Sequence, residues 1–188
     1  VGKINTILNE LLTDVGTVVE PVTLAQAKAY CRISNASEDS LLSAYITSSR
    51  QSAEHFTGCA FIPKLALVTL RNQCGGVALP HCPVDVSTVV VTVASAADTT
   101  SDKYGLTELD GTAQLLTATD DVLAVQFNCG YGTAGIHATF AIVPQGVKDG
   151  ILAEINYRWA NRGGTFSPGG LCAEARNYLI PFITKSLL

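Results

Sequence analysis

The residues whose types and spacing suit chemistry are a glycine-rich run, a cysteine–histidine cluster and two carboxylate pairs. Gly130-Tyr131-Gly132-Thr133-Ala134-Gly135 has the Gly-x-Gly-x-x-Gly spacing. Such a run cradles a pyrophosphate when a strand precedes it and a helix opens inside it. A strand pattern does precede it, but Ile136 to Val143 reads as extended and helix signals wait until Pro144. The run therefore reads as a turn or loop closing a β unit, and no cofactor is expected. Cys74, His81 and Cys82 lie close enough to suggest zinc. A structural zinc site takes four ligands in paired spacings, and no second pair exists, so no metal ligand is assigned. Ser, His and Asp are present without a Gly-x-Ser-x-Gly elbow. Glu38-Asp39 falls in the first turn of a helix and Asp120-Asp121 in a turn, which explains both pairs structurally. His55 and His137 are isolated. No catalytic residue is assigned, and the chain does not read as an enzyme.

The elements that would position these residues alternate in period along 188 residues, enough for one domain carrying an insertion. Ile4, Ile7, Leu8, Leu11 and Val15 have helical spacing, so residues 1–20 read as an amphipathic helical arm ending at Gly16. Thr23 and Gln26 make a capping box for a helix from Leu24 to Cys31. Ser37 reads as the cap of a second helix, whose stripe Leu42, Tyr45, Ile46, Ser49, Ala53 and Phe56 runs to Gly58. From Ile62 to Val143 the period becomes that of strands: Leu65 to Arg71, Val86 to Val93, Ala113 to Leu116 and Val122 to Cys129, with Asp110-Gly111 as a hairpin signal. Pro144 opens a helix with the stripe Val147, Ile151, Leu152, Ile155 and Trp159 and a supporting Glu154–Arg158 pair. A last helical stretch spans Leu171 to Ile180, and Pro181 stops it. The resulting fold class is α+β: a small helical bundle (21–61 and 144–188) interrupted by an antiparallel β insertion (62–143).

Composition narrows the function class. Charged residues are 15% of the chain, against a usual ~25%, and the mean hydropathy is +0.29. So few charges leave apolar surface to be buried against other chains, as in an assembly subunit. The formal net charge is −4 and no basic run appears, which argues against tight sequence-specific binding of nucleic acid. No apolar stretch approaches the ~20 residues that cross a bilayer, and no membrane partner is expected. The six cysteines are even in number, yet irregularly spaced and without a Cys-x-x-Cys pair. They read as buried free thiols of a protein made in a reducing cytoplasm. Self-association is expected through the helices rather than the β unit.

The order of these pieces resembles a known family. Glu20-Pro-Val-Thr-Leu-Ala-Gln-Ala-Lys-Ala-Tyr-Cys-Arg-Ile33, the acidic Glu38-Asp39-Ser40-Leu41-Leu42, and Glu54-His55-Phe56-Thr57-Gly58-Cys59-Ala60 are similar to the opening of head–tail connector, or adaptor, proteins of long-tailed bacteriophages and phage-derived gene transfer agents. Gly130-Tyr131-Gly132 before Val143-Pro144, followed by Ile151, Tyr157, Asn161 and Arg162, resembles the family's closing helix. The resemblance implies a structural virion subunit, synthesised in the bacterial cytoplasm, that forms a ring, usually of twelve copies, beneath the portal protein at the neck. Head-closure or tail neck proteins would bind the ring, and genomic DNA would pass through its channel without sequence-specific binding. Other neck or capsid components, such as a head-closure or decoration protein, and a secreted β-rich recognition module are the alternatives.

One segment stands out as a partner-binding candidate. Leu171, Tyr178, Leu179, Phe182, Ile183, Leu187 and Leu188 give the C-terminus more apolar surface than a free tail should expose, and Pro181 prevents it from extending a helical stripe. The expectation is an anchor seated in a groove on a partner or neighbouring subunit. By resemblance, that partner is the portal.

Overall fold

The computed structural model describes residues 6–71, 75–93, 104–109, 112–117, 122–132, 142–162 and 170–183. In chain order they form β1 (Thr6–Asp14), α1 (Leu24–Tyr30), α2 (Asp39–Thr57), β2 (Lys64–Arg71), β3 (Gly75–Ala78), a 3-10 turn (Val86–Thr88) and β4 (Val90–Val93). There follow β5 (Tyr104–Leu109), β6 (Thr112–Thr117), β7 (Val122–Cys129), α3 (Gln145–Ala160), α4 (Ala173–Leu179) and a 3-10 turn (Ile180–Phe182). The class is α+β. One antiparallel sheet has the order β1-β2-β7-β4, and a smaller one the order β3-β6-β5.

The expected N-terminal helix is a strand. β1 pairs antiparallel with β2, from Thr6 opposite Arg71 to Asp14 opposite Lys64, with an irregularity between Ile7 and Asn9. The difference has a physical origin: an i, i+4 spacing such as that of Ile7 and Leu11 fits one face of a helix or of a regular strand. Pairing with the open edge of β2 decides for the strand. Gly16, with φ 74°, ends it as expected.

The helices follow their local signals closely. The Thr23 hydroxyl accepts the Gln26 N–H, and the Gln26 side chain accepts the Thr23 N–H, completing the capping box. Ser37 does not cap α2; its hydroxyl donates to Asn35 Oδ1 at 2.8 Å, and Glu38 occupies the cap position without a side-chain capping bond. Asp39, in the first turn, instead receives Lys28 Nζ at 2.7 Å and so ties α1 to α2. Gly58, at φ 70°, closes α2 in the left-handed conformation that glycine adopts most easily. Val86 to Thr88, read as strand, form a 3-10 turn. Asp85 Oδ1 accepts both the N–H and the hydroxyl of Ser87, a local alternative to the ladder. Leu109 pairs with Thr112, so β5 and β6 are adjacent antiparallel strands as the hairpin signal indicates; Asp110-Gly111 itself lies outside the described residues.

Two apolar cores result. Leu42, Ile46, Ala53, Phe61, Val147, Ile151, Ile155, Leu171 and Leu179 are buried among α1 to α4. Ala66, Val68, Leu70, Leu123, Val125 and Phe127 are buried under the inner face of the larger sheet. Burying each large side chain contributes roughly 1.5–3 kcal/mol, so the two clusters dominate stability.

Candidate functional site

The C-terminal segment lies on a groove cut into α3 by glycines. A Cβ on Gly150 would stand 2.9 Å from Leu179 Cγ and 3.3 Å from Tyr178 Cβ. A Cβ on Gly146, one turn earlier, would stand 3.1 Å from the Phe182 ring. The missing side chains are therefore what lets α4 and the following turn approach α3. Glu154, also on α3, fixes the start of α4. Its Oε2 accepts the Cys172 N–H at 2.7 Å, while Oε1 receives Arg158 Nε at 2.8 Å. The Glu154–Arg158 pair expected from the sequence exists, but its carboxylate is buried rather than surface-exposed. Arg158 continues to the hydroxyls of Ser48 and Ser52 on α2.

This geometry divides the expected anchor residues. Leu171 and Leu179 are fully buried in the subunit's own helical core, and Phe182 is half-buried against it. These side chains hold the segment to its own subunit, and the expectation that Leu171 and Leu179 face a partner fails on their burial. Tyr178 (41% exposed) and Ile180 (55%) turn outward, and Ile183 is half-buried. Leu187 and Leu188 lie outside the described residues. Tyr30 is exposed near this surface; burial, then the charges of Glu174, Tyr178 and Asp149, push its phenol upward.

A second apolar surface lies on the larger sheet. The registers place Leu11, Leu67, Gln126 and Val90 in one row across all four strands. Leu11 (59% exposed), Leu67 (43%) and Val90 (58%) stand on the face opposite the sheet's core. By contrast, the helical stripes of α2 and α3 are largely consumed inside the subunit.

The chemical candidates from the sequence have structural roles where they are described. Gly130 has φ 95°, and a Cβ there would fall 2.1 Å from the Ile62 carbonyl oxygen. Its N–H donates to Pro83 O at 2.8 Å, and the Tyr131 N–H to Ala60 O at 3.3 Å. The glycine run thus begins at a crossing of three chain segments, and its later residues, 133–135, lie outside the described residues. His81 Nε2 is engaged by Glu10, and Cys82 lies against Cys59. Cys74, His137 and Asp120-Asp121 lie outside the described residues. Among the described residues no group of three His, Cys, Asp or Glu side chains is placed to hold a metal. No helix among them is long and apolar enough to cross a membrane.

A buried charge network was not legible beforehand. Glu54 accepts Arg50 Nη1 and Lys64 Nζ, each at 2.8 Å, and the Phe61 N–H at 2.8 Å, while Arg50 Nε reaches Glu20 at 2.8 Å. It joins α2 to the first residues of β2. Beside it, a groove of ≈ 270 Å³ runs between Val19, Pro21, Phe61, Tyr131 and Ile142. Burial pushes the Tyr131 phenol up to about 12 and keeps it protonated.

Residues 21–123 match the family model described as phage gp6-like head-tail connector protein, which covers more than half of the chain. The chain belongs to that family. The connector's fold is shared with solved particle structures. One is the neck of an empty gene transfer agent (GTA) particle computed with C6 symmetry: TM-score 0.67, 16% identity, covering 93% of this chain and 95% of that one. A second is the virion of a native GTA particle, with TM-score 0.65, 16% identity and coverage of 93% and 95%. The neck of a native GTA particle computed with C12 symmetry matches with TM-score 0.60, 16% identity and coverage of 89% and 94%. Among curated proteins, none matches the connector significantly in sequence. A head–tail connector is a structural protein of the virion neck, and membership sets aside the decoration-protein and secreted-module alternatives.

Proposed function

We propose that the connector works by geometry, as one subunit of a homo-oligomeric ring between portal and neck, through which genomic DNA slides. The likeness to a neck with C12 symmetry supports a ring of twelve copies. The net charge of −4 suits a channel wall that must let DNA move rather than hold it. Residues 21–61 and 144–188 act as one helical body and 62–143 as an insertion, with the 1–20 arm joined to the insertion's sheet through β1. The work requires no catalysis and no cofactor.

The observation that carries the portal contact is the outward aim of Tyr178 and Ile180 from a segment otherwise clamped to α3. Tyr178, Ile180, Ile183 and the residues reaching Leu187 and Leu188 form the portal-binding edge, while Leu171, Leu179 and Phe182 hold that edge in place. Neighbouring copies cover the Leu11–Leu67–Val90 row. Head-closure or tail neck proteins meet the far side of the ring. The test is co-sedimentation with the portal ring from the same particle. A chain lacking Thr184 to Leu188, or carrying Tyr178→Ala with Ile180→Asp, should keep its helical circular dichroism and lose portal binding. Intact portal binding by both variants would reject this assignment.

A further inference from the structure

Two thiols meet where the helical part joins the sheet. Cys59 follows the glycine that closes α2, and Cys82 lies in the loop between β3 and the Val86–Thr88 turn. Their Sγ atoms are 2.7 Å apart, closer than two sulfur atoms in ordinary contact. That is within about 1 Å of the ~2.05 Å bond of a disulfide.

Backbone bonds hold both residues there. Cys59 and Cys82 form a parallel bridge, and the Ala60 N–H donates to Cys82 O at 3.0 Å. The Cys59 N–H donates to Thr57 Oγ1 at 3.2 Å, and Pro83 O accepts the Gly130 N–H at 2.8 Å. Closing a bond between the sulfurs thus requires little backbone movement. The two thiols also differ in environment. Cys59 is buried, whereas Cys82 is partly open to solvent. The contact with Cys59 lowers the Cys82 thiol, while that same contact and burial raise Cys59. The accessible sulfur is therefore the better nucleophile.

We propose that Cys59 and Cys82 are a modification site, a dithiol that a low-molecular-weight disulfide oxidises to an intrachain cross-link between the helical part and the sheet. The Cys82 thiolate attacks one sulfur of the small disulfide, forming a mixed disulfide and expelling one thiolate. Cys59, giving up its proton, then attacks Cys82 Sγ, forms the Cys59–Cys82 bond and expels the second thiolate. Two protein thiols lose two electrons and two protons in all, and one small disulfide becomes two small thiols. In a reducing cytoplasm the pair stays open. Outside the cell it closes, and the cross-link stabilises the fold by limiting the freedom of the unfolded chain between the two cysteines. This inference does not depend on the portal assignment.

The test uses the full chain, reduced, desalted and then incubated with oxidised glutathione. Free thiols counted in denaturant should fall by two from six. Peptide mapping should return a single cross-linked pair holding Cys59 and Cys82, and Tm should rise by several degrees and return on adding dithiothreitol. Cys82→Ser should retain its circular dichroism and show neither the cross-link nor the Tm shift. An unchanged thiol count, glutathione left on Cys82 without closure, or cross-links through other cysteines would overturn the proposal. The map of the unsubstituted chain decides the matter even if the variant folds poorly.

Discussion

Glu154 Oε2 accepts the backbone N–H of Cys172 at 2.7 Å, across 18 residues of sequence, at the point where α4 begins. One buried carboxylate on α3 thereby fixes where the C-terminal segment docks, with Arg158 balancing its charge. Removing it takes away the carboxylate that balances the Arg158 charge, although Arg158 keeps the Ser48 and Ser52 hydroxyls, and it removes the acceptor of the buried Cys172 N–H. We expect Glu154→Ala to cost about 3–5 kcal/mol, the usual penalty for breaking a buried pair from one side. Chemical denaturation with matched m-values checks this; a loss under about 1 kcal/mol would contradict the buried role.

Gly150→Ala should destabilise despite the better helix propensity of alanine. Propensity offers up to about 1 kcal/mol. The new methyl would lie 2.9 Å from Leu179 Cγ, with Tyr178 Cβ close behind, and overpacking costs about 1–3 kcal/mol. The expected net effect is a lower Tm and faster proteolysis after α3. A higher Tm would show that α4 does not press on this glycine.

Residues of the C-terminal segment should separate by burial. Leu179→Ala should cost about 2–5 kcal/mol, because Leu179 is fully buried. Tyr178→Ala, at a half-exposed position, should change stability by about 0.5 kcal/mol or less. Paired thermal melts and portal-binding assays on both variants give the comparison. Equal stability losses would remove the distinction between clamp and edge.

Stability should fall in alkali. Burial pushes the Cys129 thiol from 9.0 up to about 12. A folded state that holds its proton longer than the unfolded chain loses its advantage once the unfolded thiol ionises. The contribution is fully present below pH 9 and declines as pH rises through about 12. It is on the order of 3–4 kcal/mol. Urea midpoints at neutral and strongly alkaline pH should show the decline, and Cys129→Ala should reduce it.

Gly130→Ala should not yield a soluble native fold. Its Cβ would coincide with the Ile62 carbonyl, and φ 95° is a conformation that alanine rarely adopts. Expression at normal yield with a wild-type melt would refute the close crossing.

The parts of the fold legible from the chain alone rest on short-range signals. The Thr23–Gln26 box, the Gly58 stop, the pairing of β5 with β6 and the period of Val122 to Cys129 each depend on residues within a few positions of one another. They fix the order helix–strands–helix, and with it the family. Where the same spacing served two structures, only tertiary structure decided. Apolar residues spaced i and i+4, as Ile7 and Leu11 are, fit a helix or a regular strand, and the open edge of β2 selected a strand, with an irregularity after Ile7. The apolar tail reads in the sequence as an anchor for a partner. The groove left by Gly146 and Gly150 drew Leu179 and Phe182 inward and left Tyr178 and Ile180 outside. The Glu54–Lys64, Glu154–Cys172 and Cys59–Cys82 contacts gave no local signal, because their partners come from segments that meet only after folding. A chain's nearest neighbours in sequence set its elements; burial and charge pairing act through space, and they chose which surfaces remained free.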